Sequence, residues 1–230
     1  KDIEPWYAHV ETFAGIAGNK DGLPELPDSI SGPGFEMSCI EQYFKESLKK
    51  NYGDRHLIQA RCAHITDLQD IHKAQGRGKC QNQTQCNRGC QFGGYFSSNS
   101  STIPWAMKTG KLTMRPNAVV HSIIYDERTG KASGVRVIDA HTKASMTFRA
   151  RIIFVNAACL NTNLLLLNST SGRFPQGLGN YNGRVCSDSA WHRDRARGSA
   201  RFEGYPDSYY YGRRPTAALI PALRNIDRQQ

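Results

Sequence analysis

Residues 151–167 read Arg151-Ile-Ile-Phe-Val-Asn-Ala-Ala-Cys-Leu-Asn-Thr-Asn-Leu-Leu-Leu-Leu. The unbroken apolar run Ile152 to Val155 predicts a strand covered on both faces, as strands of a parallel sheet are. Asn156, Ala157 and Ala158 predict a tight small-residue turn, and the leucines from Leu164 to Leu167 predict a helix behind it. A strand running into a small turn and a helix N-terminus is how a parallel sheet presents backbone amides to a phosphate or a flavin. No GxGxxG occurs anywhere in the chain, so the dinucleotide fingerprint itself is missing. The stretch sets an α/β fold class.

Upstream of it the pattern switches to alternation. Lys111 to Tyr125 reads as a strand kinked at Pro116, because proline cannot donate to a ladder. Asp126 to Gly130 reads as a turn, Gly134 to Ala140 as a second strand, and Ser145 to Ala150 as a third, making a meander. Nearer the start, Asp2 is placed to cap a helix with Glu4 and Pro5 in its first turn, carrying Ile3, Tyr7, Val10, Ala14 and Ala17 and ending at Gly18. Ser38 and Glu41 form a capping box for a second helix lined by Ile40, Tyr43, Phe44 and Leu48. Leu57 to Ile65 reads as a short strand, and Gly93, Gly94 and residues 97–102 as a passage where backbone could approach a ligand.

Between these segments lies Cys80-Gln-Asn-Gln-Thr-Gln-Cys-Asn-Arg-Gly-Cys90, with three of the seven cysteines in one polar, Gly-containing loop. No apolar periodicity packs such a loop, so something held by the sulfurs must shape it: iron, zinc or a disulfide. Zinc knuckles come as paired Cys-x2-Cys motifs, whereas the gaps here are five and three residues. A disulfide leaves one of the three sulfurs over. A cluster that takes three protein ligands suits the number. Cys39 and Cys62 read as small buried hydrophobes.

The formal charge of +10 is spread along the chain, apart from Arg193, Arg195, Arg197 and Arg201, and no basic-aromatic interleaving accompanies it, so nucleic acid is not the expected partner. No stretch has the 18 or so apolar residues of a membrane span.

Taken in order, Asp2-Ile-Glu-Pro-Trp-Tyr, the cysteine loop, Pro104-Trp-Ala-Met-Lys-Thr-Gly-Lys-Leu, Asn117-Ala-Val-Val and Ile153-Phe-Val-Asn-Ala-Ala-Cys resemble the glucose-methanol-choline (GMC) oxidoreductases. The similarity is nearest to bacterial flavin-dependent gluconate or glucose dehydrogenases of the large-subunit type. It covers most of residues 1–190, and Tyr209-Tyr-Tyr-Gly-Arg-Arg-Pro extends it. The resemblance implies a partial FAD-binding fold, in which the three-stranded meander and a parallel-sheet strand-turn-helix carry an inserted Cys-rich loop and lead to the start of a substrate domain. It implies FAD contacts at Val120, with Val119 as the register alternative, and at Ala157, Ala158 and Thr162. Where Ala158 stands the family usually has Gly, and where Thr162 and Asn163 stand it usually has Ser-Pro.

It also implies a three-iron four-sulfur (3Fe-4S) cluster on Cys80, Cys86 and Cys90, since the flavin dehydrogenases that pass electrons onward carry one on a loop of this spacing. Asn87, Arg88 and Gly89 are expected to donate hydrogen bonds to its sulfurs. The expected domains are 1–66, helices and a short strand packing on the FAD domain; 67–108, the Cys-rich loop with its cluster; 109–190, the flavin-binding meander and strand-turn-helix; and 191–230, the start of the substrate domain. The implied activity is oxidation of a sugar or alcohol CH–OH group by hydride transfer to flavin, with electrons leaving through the cluster to a cytochrome c subunit. A small export-chaperone subunit and a periplasmic site, on the membrane only through a partner, go with it.

No catalytic residue is assigned: His9, His56, His64, His72, His121, His141 and His192 read as surface or packing residues, and the chain reads as the middle of a longer enzyme. Two rivals remain. One is a cluster-free flavin oxidase using oxygen. The other is a secreted, disulfide-bonded binding module, for which Asn82-Gln-Thr, Asn99-Ser-Ser and Asn168-Ser-Thr fit the glycosylation sequon.

Overall fold

The computed structural model describes residues 2–83, 86–187, 198, 202–204 and 217–221. Most of 191–230, where the sequence places the start of a substrate domain, lies outside the described residues, as do Arg193, Arg195, Arg197, Arg201 and the motif at 209–215. The chain forms two compact units, Lys1–Leu112 with Ala200–Gln230, and Thr113–Ser199.

In the first unit α1 spans Glu4–Ala14, with Pro5 in its first turn, where the missing amide costs nothing. Two expectations for it fail. Ile3, not Asp2, is the N-cap, with no side-chain bond. The helix stops at Gly15, three residues before Gly18, because Gly15 adopts φ 73° and its amide and that of Ile16 both return to the Glu11 carbonyl. A β-carbon at Gly15 would also stand 2.6 Å from Ile65 Cγ1, so the helix end packs directly on the core. Two short strands, β1 (Ala17–Gly18) and β2 (Gly32–Pro33), pair in parallel.

Helix α2 (Cys39–Asn51) carries the expected capping box: the Ser38 amide donates to Glu41 Oε2 at 2.8 Å and the Glu41 amide to Ser38 Oγ at 3.4 Å. Of its apolar face only Leu48 is buried, while Tyr43 and Phe44 stay exposed. Cys39, at its first position, is exposed and so is not the buried hydrophobe expected. The strand expected over Leu57 to Ile65 contracts to β3, Ile58–Gln59. Its residues meet three different partners: Ile58 pairs with Leu219 of β7 (Ala218–Leu219), Cys62 with Ala17, and His64 with Tyr95. No continuous ladder can form across three separate partners.

The short α3 (Asp70–Ala74) and α4 (Thr102–Lys108) complete this unit. Its interior is unusually polar. His64, His72, Gln59, Gln75, Arg77 and Ser101 are buried beside Ala14, Ala17, Leu57, Ile58 and Ile65. His72 accepts from the Gln69 amide at Nδ1 (3.1 Å) and donates from Nε2 to the Thr12 carbonyl (2.7 Å), which binds α3 to α1.

The second unit is the meander expected from the alternation, β4 (Ala118–Asp126), β5 (Lys131–Asp139) and β6 (Ser145–Arg149), antiparallel in the order β4-β5-β6. Val120 pairs with Val137, Ile123 with Val135, and Val135 with Phe148. Each turn is nucleated by an aspartate: Asp126 Oδ1 accepts from Arg128 (2.9 Å), and Asp139 Oδ1 accepts from His141 and Thr142 (3.0 and 2.9 Å). The amides that cap them hold both carboxyls below their ordinary range, with a Thr129 side-chain bond the largest cause at Asp126. The first strand starts after Pro116, at Ala118, since proline offers no ladder donor.

The decisive stretch divides in two. Helix α5 (Ala158–Asn168) forms where the leucines predict it. Residues 153–156 form no strand, and Ile152 and Phe154 are exposed. Without a neighbour to pair with among the described residues, an apolar run has no ladder to satisfy its amides and carbonyls. The helix is tied to the sheet by Ser169, whose buried Oγ accepts from the Ile123 amide (2.7 Å) and donates to the Leu165 carbonyl (2.5 Å). This bond sits next to a register shift between Val120 and Ser122, where the ladder leaves donors to be satisfied elsewhere. Among the described residues no helix is long and apolar enough to cross a membrane.

Candidate functional site

The three cysteines of the polar loop line one cavity of about 150 Å³, together with His64, Asn82, Gly89 and Phe92. Backbone bonds set the two ends of the loop side by side. The Cys80 amide donates to Ile65 (2.8 Å), Ile65 to Gly94 (2.9 Å), Gly78 to Phe92 (2.7 Å) and Gly93 to Cys90 (3.0 Å). Gly94 is required here, because a β-carbon on it would stand 2.9 Å from both the N and Cα of Cys80. Between the ends, Cys86–Arg88 makes a single 3-10 turn that returns the chain.

Of the expected donors, the Gly89 amide goes to the Cys86 carbonyl (3.2 Å). His64 reaches a sulfur, with Nε2 3.3 Å from Cys86 Sγ, and the Asn82 backbone meets the sulfur of Cys80. His64 is 1% exposed and clamped by Tyr95 (4.9 Å between ring centres) and Phe35 (5.8 Å, edge-on). It is a packing residue, as expected, but one packed on the cysteine site.

All seven cysteines are free thiols, which leaves the disulfide-bonded rival without a bond to rest on. Burial pushes the Cys62 thiol up to about 12, with neighbouring charge on Cys80 and Cys86 adding to it. Burial, then the charge of Cys90, raises Cys80; burial, then Cys80 and Cys90, raises Cys86. Such thiols keep their protons at neutral pH until a cation displaces them. Among the described residues no three His, Cys, Asp or Glu side chains are arranged around a single ion. Three sulfur donors thus share the lining of one cavity without being gathered around an ion.

The second unit holds a different cavity, of about 570 Å³, lined by Val119, Val120, Ile123, Asn156, Ala157 and Asn161 and by apolar residues of β5 and α5. Val120 and Ala157, far apart in sequence, are thus brought to one place. Ala158 and Thr162 do not line it; Asn156 and Asn161, which were not among the expected flavin contacts, do. Ala158 has a backbone role instead: it opens α5 at φ 61°, a left-handed conformation that an L residue adopts only with strain. That is the physical reason a glycine suits this position. A mostly apolar cleft with a few amides and a helix N-terminus fits a flavin nucleotide.

Residues 46–182 match the family model described as GMC oxidoreductase, more than half of the chain. The chain belongs to the GMC oxidoreductase family. It is also 35% identical over 100 residues to a 2-methyl-1,2-propanediol dehydrogenase of Mycolicibacterium austroafricanum, an alignment covering 42% of this chain and 18% of that relative. The chain therefore matches under a fifth of the relative's length.

Proposed function

We propose that the chain is the central part of an FAD-dependent dehydrogenase of the gluconate or glucose dehydrogenase large-subunit type, oxidising a CH–OH group of a sugar or alcohol. What carries the proposal is the gathering of Cys80, Cys86 and Cys90 on one cavity inside a chain of this family. When bound, FAD supplies the hydride acceptor, and a 3Fe-4S cluster supplies a one-electron acceptor that lets a two-electron oxidation discharge singly to a cytochrome c subunit.

In this reading the chain's own residues hold and shield. Val120 and Ala157 offer backbone to the nucleotide, with Ala158 shaping the turn and Thr162 one helical turn further on. Cys80, Cys86 and Cys90 give three thiolates, and His64 orients Cys86. Segment 67–108 is the cluster module, 109–190 the flavin module and 191–230 the beginning of the substrate domain. No residue of this chain is assigned the hydroxyl proton. A small export-chaperone subunit and a periplasmic location complete the reading.

The test separates the two half-reactions. Cys86→Ser should leave flavin bleaching by substrate within about twofold of wild type and abolish reduction of an external cytochrome. Equal loss of both, or peroxide formation in place of cytochrome reduction, would contradict the relay and favour an oxidase.

A further inference from the structure

The first unit holds another cavity, of about 350 Å³, which shares no lining residue with the cysteine cavity or the flavin cleft. Its volume lies within the ~300–1,000 Å³ of small-molecule sites. Asn19 and Asp21, which follow β1, and Phe35 and Glu36, which follow β2, supply one part of its walls. Because the two strands pair in parallel, both segments leave from the same end, the end at which parallel strands offer their loops to ligands. Gln42 and Lys45, three residues apart on one face of α2, and Gln59 of β3 supply the rest.

Gln59 is 3% exposed, and only one end of its amide is used. Nε2 donates to the Ala217 carbonyl (3.4 Å), whereas Oε1 is buried with no hydrogen-bond partner among the described residues. A buried carbonyl oxygen without a donor costs free energy, and a ligand hydroxyl in the cavity that Gln59 lines would supply one. The side chains of Asn19, Asp21, Glu36 and Lys45 likewise make no hydrogen bond among the described residues, so their donors and acceptors are available. Gly34 lets Asn19 stand where it does: a β-carbon there would run into Asn19 Oδ1 and lie 3.1 Å from the Gly18 carbonyl carbon. The Phe35 ring, set edge-on to His64 at 5.8 Å, adds an aromatic wall.

The donor set says what fits. Carboxylates accept only, the ammonium of Lys45 donates only, and the amides of Asn19, Gln42 and Gln59 do both, which matches a ligand whose hydroxyls each donate and accept. Two carboxylates against one ammonium leave the lining with one negative charge in excess, which disfavours sugar acids and phosphates. A metal ion does not fit, since no three His, Cys, Asp or Glu side chains among the described residues are arranged to hold one. We propose that this cavity binds a neutral polyhydroxylated ligand, a sugar or polyol, with Gln59 Oε1 and Asp21 accepting from its hydroxyls and the Phe35 ring against its C–H face. Such a site uses neither flavin nor iron, so it stands or falls independently of the cysteine loop. It is a binding site, and no turnover is assigned to it.

The experiment is a titration of the full chain with glucose, read by saturation-transfer NMR, and with glucuronate, the same ring carrying a carboxylate. Glucose should bind saturably, and glucuronate about tenfold more weakly. Gln59→Leu keeps the bulk and removes the oxygen, so it should weaken glucose about tenfold. Asp21→Asn keeps an acceptor but loses the charge, so it should weaken glucose about threefold and narrow the gap to glucuronate. No saturation of wild type by about 100 mM glucose, a range in which even a weak site fills, would overturn the inference. So would glucuronate binding as well as glucose, or wild-type affinity in Q59L. Should Q59L not fold by far-ultraviolet dichroism, D21N decides alone: weaker glucose binding with an unchanged dichroism spectrum supports the site, and wild-type affinity refutes it.

Discussion

Ala158→Gly should make the protein more stable, although glycine ordinarily weakens a helix. Ala158 sits at φ 61°, whereas its neighbour Ala157 sits at φ −93°. Holding an L residue in the left-handed region costs about 1–2 kcal/mol. Glycine removes that strain but frees the unfolded chain, which takes back about 0.4–1 kcal/mol. The interior helix penalty of glycine does not apply, because residue 158 does not have helical dihedrals. The net gain is about 0.5–1 kcal/mol, or roughly 1–4 °C in Tm for a chain of this size. Ala157→Gly, at an ordinary dihedral, should move the other way by about 0.4–1 kcal/mol. Urea unfolding followed by far-ultraviolet dichroism measures both, with the slope unchanged if only stability has moved. A lower midpoint for A158G, or the same sign of change in A157G and A158G, would refute the reasoning.

Three further outcomes are expected. Gly94→Ala places a β-carbon 2.9 Å from the backbone of Cys80, so it should cost about 1–3 kcal/mol and reduce iron per chain; wild-type midpoint and iron content would contradict the close-approach role. Ser169→Ala removes the acceptor of the buried Ile123 amide and should cost about 1–3 kcal/mol in urea unfolding, with an unchanged midpoint contradicting it. In the cluster-free chain stability should fall as pH rises from 9 toward 12. The unfolded chain releases the Cys62 proton above its ordinary 9.0, while the folded chain holds it up to about 12, so alkali favours unfolding. The loss between pH 8 and 10 should be smaller in Cys62→Ala, and parallel curves would contradict the assignment.

The meander was legible because alternation and turn chemistry agree: Val135 and Val137 alternate with Arg136 and Ile138, and Asp126 and Asp139 close their own turns. The Ser38 capping box was legible for the same local reason. What depends on distant partners was not. Residues 153–156 have the composition of a strand, but a strand also needs a neighbour, and none pairs with them among the described residues. Gly15 rather than Gly18 ends α1 because Ile65 packs against it, a contact 50 residues away in sequence. In the cysteine site the spacing pointed to Cys80, Cys86 and Cys90 but could not point to His64, and the burial of Arg77 was equally hidden. A histidine or arginine reads as a surface residue until the fold buries it. Asn161 took the lining position next to the expected Thr162 because neighbouring helix residues face about 100° apart.

Iron, acid-labile sulfide and paramagnetic resonance measured together on the anaerobically purified protein bear most directly on whether Cys80, Cys86 and Cys90 hold a cluster. About three irons and four sulfides per chain, with a signal in the oxidised protein that vanishes on one-electron reduction, is the expected result. Less than about one iron per chain and a silent oxidised spectrum, in protein that still carries flavin, would contradict it.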